Sequence, residues 1–525
     1  MGRKILFITT DQQRYDAYGC NGGTVARTPV TDQLAAEGIR YERAYCANVI
    51  CTPARSSMLT GQHPRTHGAI ANGVPLPQDA PSIAETLADA GYRTALIGKV
   101  HFEPIADPEA KFPQNRLAAT DTHGPYRGFD YVSFAGHGPL GASHYANWLR
   151  KNHPDQVDGF LRIFATTPGG DTGAPAVKAH QVARENYHTD WIADQVITWL
   201  DSLDDDEDWF CWMSFPDPHH PWDLPQSERD RIDWRTLDLP AGHPGSPERI
   251  REILSDRPAH WLAWYDGSVP NIDAAPGDFV PANLTDDQIR EVNAVVHIKN
   301  ELLDEAYGRV LDHLRQRGQL DDTDVIITTD HGEFQGDLGL LFKGPYHVDA
   351  LMRLPMIWRP APSAGLEPAV VSQPVSQIDL APTFCSIAGI ETPDWIEGTA
   401  MPTAPDGPRR RALIEWDSQL DTGYRMRTIA ADGWLCTAYE PTETDYGLPR
   451  AQRYAEFDRN GAPVPELITY DGSEGELYNV IDDPHQWHNR WNDPDAREIR
   501  DAMVAEIYRA LPAGRQPRLR PVAMG

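Results

Sequence analysis

Asp324-Val-Ile-Ile-Thr-Thr329, followed at once by Asp330-His331, is the segment from which the fold can be read. An apolar, β-branched run this short, closed by polar residues, is the pattern of a strand buried on both faces of a parallel sheet. Just upstream, Thr285 and Gln288 form a capping-box pattern ahead of a long helix that runs to a stop at Gly318. The same alternation of helix and strand recurs outward. Lys4 to Thr9 (KILFIT) is a buried strand that leads into Asp11-Gln12. Thr28-Pro29 opens a helix through Glu37, with Pro at the first helical position and Gly38 as the stop. Ser82 caps a helix ending at Gly91, and Arg93 to Ile97 follows as a strand. Asp190 to Leu203 has helical spacing and precedes the apolar strand Trp209 to Phe215 (WFCWMSF). Strands alternating with helices predict an α/β fold, a large and mostly parallel sheet covered by helices on both faces.

The last quarter of the chain reads differently. Ala412 to Trp416, Tyr424 to Ala430 and Gly433 to Ala438 are short β-type runs close together, followed by a helix from about Asp495 to Leu511. They predict a smaller C-terminal α+β subdomain with a short antiparallel sheet. A Pro/Gly-rich stretch (TAMPTAPDGP) places the boundary near Ala400, giving a main domain at 1–400 and a subdomain at 401–511. In the tail, 512–525, the part from Gly514 onward holds three arginines and two prolines and cannot form a core element. It either frays or grips a neighbouring subunit, which makes a homodimer or homotetramer compatible with the chain. Residues 136–186 and 223–283 read as loop-rich insertions, and Asp204 to Asp208 as a solvated acidic connection.

Composition narrows the class of function. A length of 525 residues fits three to four domain-sized units, or one large α/β unit with an appendage. The net charge of −30 repels phosphate backbones, so nucleic-acid binding is a poor expectation. A 40% hydrophobic share supports a large core, and 41 Gly with 45 Pro imply many turns. Six cysteines without paired spacing are no disulfide framework. The apolar run at the N-terminus is too short for a signal-peptide core and no segment reaches the length of a bilayer span. The expectation is a soluble, cytoplasmic protein without a membrane partner.

In an open α/β sheet ligands bind beyond the carboxyl ends of the strands. After Lys4–Thr9 come Asp11 and Gln12; after Arg93–Ile97, Lys99 and His101; after Trp209–Phe215, Asp217, His219 and His220; after Asp324–Thr329, Asp330 and His331, with Lys343 further on. Four strands delivering metal-type or cationic groups to one edge describe a site. Asp11, Asp330 and His331 suit a divalent cation, with Gln12 able to add an amide oxygen. Oxygen ligands with one imidazole favour Mn²⁺, and Ca²⁺ is compatible. Lysines around a metal in an acidic protein imply an anionic substrate group.

Cys51-Thr-Pro-Ala-Arg55 is the most specific segment. Pro53 favours a helix start, which places Cys51 at a helix N-terminus, where an anion is welcome. A thiolate phosphatase loop is excluded, because its C-x5-R spacing requires Arg where Ser57 stands. The segment matches the C-x-P-x-R signature of the type I sulfatases, and the chain resembles that branch of the alkaline phosphatase superfamily. The likeness extends from the strand before Asp11 to Glu476-Leu-Tyr-Asn479, Asp483-Pro484 and Asn489.

The resemblance implies that Cys51 is oxidised to formylglycine by a formylglycine-generating enzyme. One hydroxyl of the hydrated aldehyde would coordinate the metal and attack sulfur, forming a covalent sulfo-enzyme. The second hydroxyl would release sulfate by hemiacetal elimination. It further implies that Arg55 and Lys99 hold the formylglycine oxygens, that His101 is the base, and that His219 (in His219-His220-Pro221-Trp222) and Lys343 contact the sulfate of a small ester. Two departures from the commonest sulfatase pattern, Asp11-Gln12 and Asp330-His331, resemble the bacterial phosphonate monoester hydrolases and phosphodiesterases. So does His67 to Gly73, which makes Asn72 a candidate substrate contact or a plain turn residue. Lys99-Val-His101 is the sulfatase pairing. The reading is therefore an arylsulfatase-type hydrolase with promiscuity towards phosphonate monoesters and phosphodiesters. The alternatives are a hydrolase of those substrates proper, or an unconverted, inactive homologue. Trp222 and Tyr346 are candidate walls for an aromatic or sugar leaving group, or core residues, and His347 is a candidate contact of the substrate or of the residues around it.

Overall fold

The computed structural model describes residues 3–522 except 106, 108, 140, 161–167, 272–274, 277, 419–421 and 444–465. Its central sheet has eight strands: β1 (Lys4–Asp11), β2 (Ile39–Tyr41), β3 (Arg93–Gly98), β4 (Tyr131–Phe134), β5 (Trp209–Pro218), β6 (Thr323–Thr329), β7 (Ile357–Arg359) and β8 (Ala369–Val371). They lie in the order β8-β2-β7-β6-β1-β5-β3-β4. The run β6-β1-β5-β3-β4 is parallel throughout, while β7 pairs antiparallel with β6 and β2. The predicted α/β sheet is thus present, with antiparallel pairing confined to one side.

Alternate residues of the central strands feed two separate cores. Ile5, Phe7, Phe210, Trp212 and Ile326 face one side, and Leu6, Ile8, Cys211, Met213, Val325 and Ile327 the other. The helices covering the second face are α1 (Pro29–Glu37), α4 (His188–Asp201) and α5 (Asp286–Gln316), which contribute Leu34, Ile192, Val196, Leu303, Tyr307 and Val310. The first face takes Met58 and Leu59 of α2 (Cys51–Thr60), Ile83 and Leu87 of α3 (Ile83–Asp89), and Leu380 and Phe384 of α6 (Leu380–Ala388). Each large apolar side chain so buried contributes about 1.5–3 kcal/mol. An exposed pair such as Arg309–Asp194, which links α5 to α4, gives less than about 1 kcal/mol, so the two cores, not surface charge, hold α5 in place.

Local signals worked where they satisfy backbone groups. Gly38 ends α1 and Ser82 caps α3 by accepting from the Ala84 N–H. At α5, Thr285 Oγ1 accepts from Gln288 N–H at 3.2 Å, and Gln288 Oε1 accepts from Thr285 N–H at 3.0 Å. Gly98 closes β3 at φ 108°, and a Cβ there would lie 1.7 Å from the Ser214 carbonyl oxygen. Only glycine lets β3 approach β5 so closely at the edge where Lys99 emerges.

The C-terminal sheet is antiparallel and has four strands, β9 (Ala412–Asp417), β10 (Arg425–Ala431), β11 (Trp434–Glu440) and β12 (Gly475–Asn479). Met503 and Ile507 of α7 (Arg497–Ala510) pack on Leu413, Ile429 and Leu477. Residues 391–411, which contain the expected boundary, hold no helix or strand. The insertions are less loop-like than expected, with helices at His144–Asn152, Pro247–Ser255 and His260–Tyr265. The tail, expected to fray or to grip a neighbour, lies through Val522 along its own chain. Arg515 N–H donates to Arg65 O at 2.7 Å, Val522 N–H to Gly73 O at 2.9 Å, and Leu519 packs against Ile70, Ala71 and Val74. Its last residues, 523–525, fall outside the described part. No helix among the described residues is long and apolar enough to cross a membrane.

Candidate active site

Strands β6, β1, β5 and β3 are parallel neighbours, so their carboxyl ends open on one edge. There Asp11, Cys51, Asp330 and His331 converge, all buried, with their ligand atoms within 4.8 Å of one another. The donor set fits a divalent cation. His331 Nδ1 donates to Gly332 O at 3.0 Å, which turns Nε2 towards Cys51 Sγ at 3.3 Å. Asp330 Oδ1 accepts from the N–H groups of Gln12 (3.0 Å) and His331 (2.9 Å). Burial opposes ionisation of Asp330, yet His331 and Arg55 hold its carboxyl below the ordinary range.

Arg55 is fully buried and ties the strand ends together. Its Nε donates to Asp330 Oδ2 at 2.9 Å, Nη1 to Ser214 Oγ at 2.8 Å and Lys99 O at 3.3 Å, and Nη2 to Thr10 O at 3.1 Å and Asp11 Oδ2 at 3.4 Å. Cys51 is the first residue of α2, as Pro53 predicted, and α2 is buried along its whole length. Asn72 Oδ1 accepts from the Thr52 N–H at 3.0 Å, so this candidate contact caps the helix that carries Cys51. Lys343 and Lys99 place their Nζ atoms 3.6 and 3.8 Å from Cys51 Sγ. Burial and Asp11 push the Cys51 thiol up, but Lys343, Lys99 and His331 overcome them and bring it down to about 6.

The remaining groups are arranged around that sulfur. Lys99 is ion-paired with Asp11 and meets His137 Nε2 at 2.9 Å. The His137 ring lies 4.3 Å from that of His219, whose Nδ1 hydrogen-bonds to the His220 carbonyl. Neither ring nitrogen of His101 has a hydrogen-bond partner among the described residues, and burial and Lys99 hold its pKa well below the usual value. Gln12 lies beside the four converging residues: its Oε1 accepts from Lys343 and its Nε2 donates to Glu333. Burial raises the Glu333 carboxyl to about 7. Gln12 and His101 both adopt left-handed backbone, at φ 62° and 59°, a conformation that non-glycine residues hold only under tertiary constraint.

The sulfatase family model matches residues 3–390. The chain belongs to the sulfatase family. It is 25% identical over 504 residues to an uncharacterized sulfatase, YidJ, of Escherichia coli, covering 95% of this chain and 85% of that protein. It is 28% identical over 415 residues to an arylsulfatase of Clostridium perfringens, covering 76% and 78%. Its fold matches the crystal structure of the phosphonate monoester hydrolase of Agrobacterium radiobacter with a TM-score of 0.74 at 22% identity, covering 97% and 95%. The protein is a sulfuric ester hydrolase with the alkaline phosphatase superfamily fold.

Not every candidate of this sulfatase sits at the cluster. Tyr346 packs among Trp261, Trp264 and Phe334 as a core residue. His347 Nδ1 shares a 2.6 Å hydrogen bond with Thr428 Oγ1 of β10, fastening the small sheet. Trp222 is buried and stacks on Phe342 at 5.1 Å, with the His220 ring at 5.9 Å. Three residues of the sulfatase site escaped the strand-end rule. His137 follows β4, a strand too short to stand out in the sequence. Glu333 lies two residues past His331, outside any helix or strand. Lys299 lies in the middle of α5, where its charge looks like a solvated helix face.

Lys299 is in fact buried beneath the sulfatase's His219 loop. Its Nζ pairs with Asp217 Oδ1 at 3.0 Å and donates to Pro221 O at 2.9 Å and His219 O at 3.3 Å. Burial pushes the Asp217 carboxyl up, but Lys299 and His188 hold it below its ordinary value. A depressed carboxylate pKa contributes stability that is present above the unfolded value and lost as pH falls through the folded one. Lys299→Met leaves Asp217 a buried charge without its main partner, so urea denaturation at pH 7 should show a loss of about 3–5 kcal/mol. The gap to wild type should narrow towards pH 3, and equal stabilities at pH 7 would disprove the pairing.

Proposed function

We propose that this sulfatase hydrolyses sulfate monoesters of the arylsulfatase type. Its nucleophile is formylglycine, made from Cys51 by a formylglycine-generating enzyme, and it uses one divalent metal ion, Mn²⁺ in preference to Ca²⁺. The observation that carries this reading is the approach of both Lys99 and Lys343 to Cys51 Sγ, at 3.8 and 3.6 Å, with the ring nitrogens of His101 unengaged among the described residues. Asp11, Asp330, His331 and position 51 hold the metal, with Gln12 alongside. The hydrated aldehyde supplies a nucleophilic hydroxyl and a second hydroxyl through which sulfate leaves. Arg55 pairs with both carboxylates and keeps them in place. Lys343 and His219 bind the sulfate oxygens and steady the charge on the departing oxygen. A neutral His101 accepts the proton of the second hydroxyl.

A second reading has its own observation. Gln12 is held between Glu333 and Lys343, so an amide stands at the position where the commonest sulfatases place a second carboxylate. Sulfate monoesters, phosphonate monoesters and phosphodiesters each carry one negative charge, so the same cations can serve all three. This supports promiscuity towards phosphonate monoesters and phosphodiesters, and at its limit a hydrolase of those substrates. The test compares kcat/KM for an aryl sulfate, an aryl phosphonate monoester and an aryl phosphodiester on one converted, Mn²⁺-loaded preparation. The aryl sulfate should lead by about 10-fold or more, the ratio being a direct measure of differential transition-state binding. A leading phosphonate or diester would replace the first reading with the second. Chelation should abolish activity on all three, with Mn²⁺ restoring more of it than Ca²⁺.

A further inference from the structure

Lys99 has three N–H donors and no acceptor. Its Nζ is ion-paired with Asp11, lies 3.8 Å from Cys51 Sγ, and meets His137 Nε2 at 2.9 Å. An ammonium can only donate, so His137 Nε2 is the acceptor and the His137 proton sits on Nδ1. Each of the three ammonium directions then has a partner. Two of these partners, Asp11 and position 51, belong to the metal cluster, whereas His137 comes from a separate element.

That element is anchored at the strand edge. His137 lies three residues beyond β4, whose neighbour β3 delivers Lys99, and Ala135 N–H donates to Gly98 O at 3.0 Å. The distance between the two side chains is thereby set by the sheet itself. On its other side the His137 ring packs on His219 at 4.3 Å and 36°. One imidazole therefore joins a cation at the nucleophile to the histidine proposed for the leaving-group side. Burial and the positive charge of Lys99 hold His137 neutral, which preserves its acceptor.

We propose that His137 is a positioning residue, one that aims the Lys99 ammonium at the nucleophile by accepting its third hydrogen bond. The proposal rests on the reading of position 51 as the nucleophile and on no particular ester. Without that acceptor the flexible lysine stem keeps only Asp11 and the weaker contact to position 51, and the ammonium swings towards the carboxylate. A displacement of about 1 Å in such a group costs about 10²-fold in rate.

Two substitutions separate the acceptor from the ring. His137→Phe keeps an aromatic face against His219 and removes the acceptor, whereas His137→Gln keeps an acceptor and removes the ring. Both are assayed with wild type on whichever of the three ester classes wild type turns over fastest, at equal formylglycine content by mass. H137F should lose about 10²-fold in kcat with KM within about threefold, and H137Q should stay within about tenfold of wild type. Crystal structures provide a readout without turnover: Lys99 Nζ should leave its position in H137F and keep it in H137Q. Should H137F fail to accumulate, H137L carries the same contrast. An H137F enzyme with wild-type kcat and an unmoved Lys99 overturns the proposal, and so does an H137Q enzyme as impaired as H137F. A wild type that prefers phosphonates sinks the sulfatase assignment and leaves the contrast between the variants intact.

Discussion

Cys51→Ser should release one equivalent of phenol from an aryl sulfate and then stall, with steady-state kcat at least about 10⁴-fold below wild type. The serine hydroxyl occupies the position of the thiol, at the start of α2 and close to Lys99 and Lys343. It can attack sulfur, so the first half of the reaction survives. Its sulfate ester has no neighbouring hydroxyl through which to collapse, and water must then attack a hindered tetrahedral anion. A stopped-flow burst followed by a flat trace, with the added mass of a sulfuryl group on the peptide carrying residue 51, is the expected result. Continuous turnover by Cys51→Ser would mean that release does not depend on a second hydroxyl, and the formylglycine reading would fall. Cys51→Ala should show neither burst nor turnover.

The second large effect is on stability. Arg55 has no exposed surface and spans Asp330, Asp11, Ser214 and two main-chain carbonyls. Arg55→Met has nearly the same reach and no charge. It leaves two buried carboxylates facing each other and two carbonyl oxygens without their donor. Removing one partner from a buried ionic network costs about 3–5 kcal/mol, far more than an exposed pair is worth. Metal-free protein should show that loss in urea denaturation, because there only the protein's own cations, His331 and the guanidinium foremost, neutralise Asp330. Saturating Mn²⁺ should recover part of it, since a ligand that binds only the folded state stabilises by mass action. A metal-free Arg55→Met variant as stable as wild type would show that His331 and the lysines alone neutralise the cluster.

Much of the core was legible because its signals are local. Lys4–Asp11, Trp209–Pro218 and Thr323–Thr329 are continuous apolar runs, as strands covered on both faces must be. The capping box at Thr285 and the proline at the start of α1 satisfy backbone groups within a few residues. The strands of the outer part of the sheet were not legible. Ile39–Tyr41, Ile357–Arg359 and Ala369–Val371 are three residues each and owe their conformation to the neighbour they pair with. Strand β12 carries Glu476, a buried carboxylate that Trp261, Tyr439 and Tyr478 all donate to, so its sequence lacks a plain apolar face.

The site divides along the same line. Asp11, Lys99, His101, Asp330 and His331 follow strands, and Cys51 and Arg55 stand out by the C-x-P-x-R spacing of α2, so the amino-acid sequence by itself determined that they are candidates. Tertiary structure decided the rest. It moved Tyr346 and His347 into packing and tethering roles, turned Asn72 into a helix cap, and brought His137, Glu333 and Lys299 to the site from elements whose own sequence carries no sign of it. The physical reason is that a strand end is a place the chain must reach, whereas a hydrogen bond between Lys99 and His137, or between Lys299 and the His219 loop, exists only once separate elements have packed.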